Sequence, residues 1–139
     1  MMGLAAIKKA RNFVCQALYQ WQLTEQSGED ILKQFLEVNA GKSFDQDYFE
    51  RVLMGVIQEA VELDAFFEPY LKDHTLETLT RVECAILRMG TYELMYPHGL
   101  SDAAIISESV RLSKRFGSKE GYRFVNAVLD QVAHQLKAE

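Results

Sequence analysis

Residues 5–24, AAIKKARNFVCQALYQWQLT, decide the fold class. The stretch holds no Gly, no Pro and no acidic residue, so nothing in it interrupts a helix. Ile7, Ala10, Val14, Ala17, Leu18 and Trp21 recur at steps of three and four, which predicts a helix that buries one stripe. At about 100° per residue, Lys8, Arg11, Cys15, Tyr19 and Gln22 fall on a ridge along one flank of that stripe. Such a helix has an apolar side to anchor it and a cationic, aromatic-bearing side to present.

The same periodicity continues outward from this helix. Residues 27–30, SGED, form a capping box that opens a short helix with Ile31, Leu32, Phe35 and Leu36, stopping near Gly41. Residues 43–46, SFDQ, repeat the cap and predict a helix of about five turns, with Phe49, Val52, Leu53, Val56, Ile57, Ala60, Leu63 and Phe67 on one stripe and Pro69 ending it. A polar link over residues 70–78 leads to a helix marked by Leu79, Val82, Ala85, Ile86 and Met89. Ser101 or Asp102 caps the next, whose stripe is Ile105, Ile106, Val110 and Phe116 and whose stop is Gly117. Ser118 caps the last, buried through Val125, Val128, Leu129, Val132 and Leu136. No segment alternates with period two between hairpin turns. The expectation is an all-α bundle or orthogonal array of six to seven helices, one domain over residues 1–139.

With 48% apolar residues and no apolar run of about 18, the chain reads as a folded domain without a membrane-spanning helix. It lacks the pattern of an export signal, which places it in the cytoplasm. Cys15 and Cys84 share no metal-type spacing and are expected as buried or half-buried free thiols. There is no phosphate-cradling glycine loop, no nucleophile elbow and no Cys/His ligand cluster. His74 and His98 sit in linkers, and His74, His98 and His134 are expected to be exposed and uncommitted. Nothing asks for catalysis, a metal or a cofactor.

The net charge of −5 hides an uneven distribution. Residues 1–24 carry Lys8, Lys9 and Arg11 and no acid, whereas residues 25–110 hold six Lys/Arg against seventeen Asp/Glu, a local balance of −11. Residues 111–123 then supply Arg111, Lys114, Arg115, Lys119 and Arg123 against Glu120 alone. Basic ends and an acidic middle suggest two different partner surfaces, although a solvated surface with uneven salt pairs would look the same. In the last helix Phe124 lies about 95° from the mean direction of the apolar stripe, and Arg123 nearly opposite the core. An aromatic at that edge, beside Lys119 and Arg123, can receive an unstacked base or pack on a neighbouring helix.

KKAR (8–11) with ALYQWQL (17–23) resembles the opening helix of the bacterial NusB family of transcription antitermination factors. The likeness continues through DYFERVLMGV (47–56), EPYL (68–71), VECAILRMGTYEL (82–94), SKRFG (113–117) and RFVNAVLDQV (123–132). The resemblance implies a monomeric or homodimeric helical RNA-binding protein without catalysis. With the small-subunit ribosomal protein that acts as NusE, it would bind the single-stranded boxA element of ribosomal RNA leaders. That pair would join the RNA polymerase complex that passes terminators. By similarity, RNA contacts fall on Lys8, Lys9, Arg11, Lys119, Glu120, Arg123 and Phe124, and partner contacts on Tyr19 and Glu83. The basic segment is thin for the family, with Ile7 where a cation is common and lysines for arginines, which lack the bidentate fork. Ala127 stands where glycine is common, a change a helix interior tolerates. The alternative is a helical RNA-binding or protein-scaffold module related to the front domain of ribosomal RNA methyltransferases. That alternative also has no catalysis of its own.

Overall fold

The computed structural model describes residues 3–138; Met1, Met2 and Glu139, part of the expected 1–139 unit, lie outside the described residues. Within them the chain forms seven α-helices and one 3-10 turn, with no strand. In order these are α1 (Leu4–Leu23), α2 (Gly28–Val38), α3 (Gln46–Gln58), α4 (Ala60–Phe67), the 3-10 turn Glu68–Tyr70, α5 (Arg81–Met95), α6 (Asp102–Phe116) and α7 (Gly121–Ala138). The all-α expectation holds, and the helix boundaries show where local chemistry acted. Ser27, Thr80 and Ser101 each accept the backbone N–H three residues on, so α2, α5 and α6 open on hydroxyl caps. The cap of α3 is Asp45, which accepts from the Tyr48 N–H, and not Ser43 as the SFDQ pattern suggested. An aspartate directly before the apolar stripe displaces the serine two residues upstream.

The single long helix expected over this region is two. Glu59 adopts φ −107° and ψ 18°, which breaks the helical path between α3 and α4. The turn re-aims Leu63 and Phe67, both fully buried, although the apolar stripe in sequence runs through the break without a change of phase. Pro69 then sits in the 3-10 turn that closes α4.

The helix at the centre is α5, not α1. It packs against α1, α3, α4, α6 and α7. Every residue from Glu83 to Leu87 and from Met89 to Leu94 is buried, so α5 has almost no solvent face. Two glycines let neighbours close on each other: a Cβ at Gly55 of α3 would collide with the Tyr92 ring, and one at Gly90 with Leu129 of α7. Around α5 one buried cluster runs from Ile7 and Val14 through Phe49, Leu53 and Leu63 to Ile105, Val128 and Val132. Edge-to-face aromatic contacts tie α1 to α3 and to the loop before it: Phe13 meets Phe44 of that loop at 4.9 Å and Phe49 of α3 at 6.4 Å.

In α6 the buried face is Ile105, Ser109, Leu112 and Ser113, rotated from the expected stripe, and Phe116 is 38% exposed. The small serines are what permit close packing there, and a hydrophobic scan passes over them. In α7 Val125, Val128, Leu129 and Val132 are buried as expected, whereas Leu136 is half-buried.

Candidate nucleic-acid interface

Arg11 overturns the first picture of a cationic ridge. It is 1% exposed, and its guanidinium Nε and Nη2 donate to Glu93 Oε2 and Oε1, each at 2.8 Å. Nη2 also donates to Ser109 Oγ at 2.9 Å, and the Tyr48 hydroxyl makes a short hydrogen bond to Glu93 Oε2. Four helices meet in this network: α1, α3, α5 and α6. Burial alone would lower the Arg11 pKa, but the charge of Glu93 and its hydrogen bonds outweigh that and raise it. Burial, then the Glu93 charge, pushes the Tyr48 phenol well above its ordinary range. Arg11, expected among the phosphate-contacting cations, is therefore spent on holding α1 against α5 and α6. Cys15, one turn on, is also buried and not part of a surface ridge, and burial raises its thiol to about 11 despite nearby Arg11. Cys15 and Cys84 are both free and buried, as expected.

The network fixes what lies beside it. Lys8, one turn before Arg11, is held against α6 by Glu108 at 3.4 Å, and the same carboxylate pairs with Arg111 at 3.4 Å. Lys8, Asn12, Glu108, Arg111 and Arg115 line one small cleft, three cations around a single carboxylate. Lys9 beside it is exposed. On the other flank of α6, Lys114 lies 4.7 Å from the centre of the Tyr122 ring, and Arg123 lies 5.6 Å from it. Arg123 also donates to the Tyr122 hydroxyl at 3.1 Å and pairs with Glu120 at 3.5 Å. Lys119 is exposed in the turn that precedes α7. The cations of α6 thus link the amino-terminal pair Lys8 and Lys9 to the Lys119–Arg123 turn.

Phe124 is half-buried against the core, and its ring meets that of His74, in the linker before α5, at a tilt, centroids 4.8 Å apart at 58°. His74, expected to be uncommitted, is exposed but has this partner. Lys8 and Phe124 do not share a cleft: the first faces α6 and the second faces the linker, with α6 and the start of α7 joining them.

The expected partner residues separate as well. Tyr19 is 40% exposed and borders an apolar cleft of about 540 Å³, with Leu23, Phe35, Val82 and Phe116 around it. Glu83 is 6% exposed and accepts the Ser118 hydroxyl at 2.6 Å, so its carboxylate is engaged within the chain. The same hydrogen bond takes Ser118 away from the capping role expected for it. A Cβ at Gly121 would collide with the Glu83 carboxylate, so the turn into α7 is seated directly on α5. Sequence periodicity put Phe116 on the buried stripe of α6 and gave Leu23 no place, so neither was expected at the surface. It had no signal for Glu108 or Tyr122 as the groups that hold the cations.

A second cleft, of about 380 Å³, contains Trp21, Arg81, Cys84 and Arg88. Its Arg88 donates to both Asp64 oxygens at 2.8 and 2.7 Å and to Gln22 Oε1 at 3.0 Å. This bidentate pair fastens α5 to α4. Among the described residues no group of three His, Cys, Asp or Glu converges as a metal site, and no helix is long and apolar enough to cross a membrane.

Comparison with known proteins gives this geometry a family. The transcription antitermination protein NusB of Alcanivorax borkumensis is 41% identical over 133 residues, covering 96% of this chain and 88% of that protein. The protein of the same name from Tolumonas auensis is 38% identical over 135 residues, 97% of each. That is a regulatory role and not a catalytic one. The structure of T. maritima NusB superposes with a TM-score of 0.82 at 26% identity, covering 96% of this chain and 94% of that one. A chain from the crystal structure of antitermination factors NusB and NusE with double-stranded RNA gives a TM-score of 0.84 over 95% of this chain and 98% of its own. At 24% identity that second likeness speaks for the fold. The NusB family model matches residues 8–134, from the first lysine of the α1 pair to the last turns of α7, and this chain belongs to the NusB family.

Proposed function

We propose that this chain is a non-catalytic RNA-binding adaptor in transcription antitermination. Together with the small-subunit ribosomal protein acting as NusE, it binds the single-stranded boxA element of nascent ribosomal RNA and helps RNA polymerase read through terminators in the cytoplasm. Residues 1–139 act as one RNA-binding unit. The observation that carries the reading is the family match over nearly the whole chain, joined to two chemically different surfaces. One is cationic and aromatic: Lys8, Lys9, Lys119, Arg123 and Phe124, with Arg111, Lys114 and Arg115 between them. Glu120 restrains Arg123 and limits how much charge that turn offers a phosphate. The other is the apolar cleft at Tyr19, Leu23 and Phe116, on a chain whose middle is acidic and so suited to a basic ribosomal protein.

Lysines supply point charges without bidentate phosphate geometry, so RNA affinity of the chain alone is weak and rises with the partner bound. The test is a titration of labelled boxA-type RNA with and without the ribosomal protein at several salt concentrations. The reading requires tighter binding with partner, and log K falling linearly with log salt. A double-stranded arm belongs in the experiment, because the related NusB–NusE crystal complex holds double-stranded RNA. Binding that the partner does not strengthen would remove the joint recognition from this reading, and no binding in either state would leave only a helical protein scaffold.

A further inference from the structure

We propose that the linker between the 3-10 turn and α5 is a second RNA-contacting element. In it, the exposed His74 ring, held at a tilt against Phe124, offers its outer face to an unpaired base, and Lys72 takes the neighbouring phosphate. The inference rests on the reading of Phe124 as a base platform and extends it to residues that no likeness to a family assigns.

Three observations carry it. The first is the aromatic pair itself, two rings in tilted contact with centroids 4.8 Å apart at 58°. Phe124 has its inner side on the core, while His74 is exposed, so an incoming base meets the free edge of one ring and the outer face of the other. Flat π-faces open to solvent are what single-stranded RNA recognition uses.

The second is that the linker is ordered although it is polar. Leu71 and Leu79 anchor its ends in the core, at 0% and 8% exposure. Between them the His74 N–H donates to the Leu71 carbonyl at 3.1 Å. The Thr75 N–H donates to Thr78 Oγ1 at 2.8 Å, and that hydroxyl donates back to the Thr75 carbonyl at 3.0 Å. The histidine is thus held over Phe124 by a self-bonded turn and does not wander over the surface.

The third is Lys72, whose φ of 54° is the one left-handed conformation of a non-glycine residue among those described. Glycine or asparagine would relieve that backbone, yet a lysine occupies it and carries an exposed cation two residues before the stacked ring. Between Leu71 and Leu79 Lys72 is the one Lys or Arg, against Asp73 and Glu77, so any phosphate contact of the linker rests on that single cation. The exposed side chains here are Lys72, Asp73, His74, Thr75, Glu77 and Thr78, with no large apolar group among them. One base and one phosphate match that chemistry better than an apolar protein face does.

The test uses the full chain with its ribosomal partner and labelled boxA-type single-stranded RNA. His74→Ala weakens RNA binding by about fivefold or more, as loss of one stacking ring does, while His74→Phe keeps it within about twofold. Lys72→Gln lowers the slope of log K against log salt by about 0.7, one phosphate on a single strand. RNA carrying 4-thiouridine crosslinks to the tryptic peptide that contains His74. Phe124→Ala is run alongside. If Phe124→Ala weakens binding while His74→Ala and Lys72→Gln do not, the linker proposal is overturned and the Phe124 platform stands. If neither Phe124→Ala nor His74→Ala matters, the platform reading itself fails. Equal losses in His74→Ala and His74→Phe, or a loss of ribosomal-protein binding in the absence of RNA, would also overturn the proposal.

Discussion

Replacing Arg11 by Met separates a buried structural role from a phosphate contact. The substitution keeps an unbranched apolar stem and removes the hydrogen bonds of 2.8, 2.8 and 2.9 Å to Glu93 and Ser109. Glu93, 2% exposed, is left as a buried carboxylate with only the Tyr48 hydroxyl. Breaking one partner of such a pair costs about 3–5 kcal/mol, because the remaining charge is neither hydrated nor matched. Against a total stability of about 5–15 kcal/mol for a domain, that is a large share. Removing both charges in Arg11→Met/Glu93→Leu takes away the uncompensated charge, though the Tyr48 and Ser109 hydroxyls lose a partner at about 1–3 kcal/mol each. The two losses should therefore not add: the double variant is less destabilised than the sum of Arg11→Met and Glu93→Leu taken singly.

Urea unfolding followed by far-ultraviolet circular dichroism gives these differences from the midpoint and slope. RNA titrations of the folded Arg11→Met fraction at several salt concentrations should show an unchanged slope, whereas a lost phosphate contact would lower it by about 0.7. Stability within about 1 kcal/mol of the parent chain, together with a reduced slope, would refute the structural role.

Phe124→Ala should weaken RNA binding by about 1–3 kcal/mol with folding intact if a base stacks there, read by fluorescence anisotropy. Lys8→Gln should lower the salt slope by roughly one phosphate without a change in thermal midpoint, since its pair with Glu108 is partly exposed. Gly121→Ala should destabilise the chain by about 1–3 kcal/mol, because the added methyl meets the Glu83 carboxylate and the Ser118 hydroxyl, which must shift and give up their hydrogen bond. Burial raises the Cys15 thiol from 9.0 to about 11, so its stabilising contribution is complete below pH 9 and is lost as pH climbs from 9 towards 11. Its loss should lower the unfolding free energy by up to about 3 kcal/mol over that range, with buried Cys84 adding to the decline, so Cys15→Ala should reduce but not abolish it between pH 9 and 10, before Tyr48 contributes.

Much of the fold was legible because apolar periodicity and caps are local signals. Ser27 and Ser101 opened helices where their hydroxyls predicted, and Gly117 closed α6. What failed depended on partners far away in sequence. Arg11 looks like a surface cation on a helical wheel, and only Glu93, 82 residues on, and Ser109, 98 residues on, turn it inward. Glu83 reads as an exposed acid in the first turn of α5 until Ser118 arrives to bond it. The central place of α5 was hidden because Thr91 and Glu93 interrupt its apolar pattern, while α1 carries the cleaner stripe. The separation of Lys8 from Phe124 is likewise a fact of packing: basic ends in sequence became two stations joined by α6.

The most direct measurement is the affinity of the chain, with the ribosomal protein bound, for boxA-type single-stranded RNA against a scrambled RNA of equal length and composition. An antitermination adaptor that reads its RNA binds the first more tightly through hydrogen bonds to base edges in the partner-bound complex, because stacking and phosphate contacts alone tolerate any sequence. Equal affinity for the two sequences would contradict it, leaving a surface that holds phosphate charge without regard to the message.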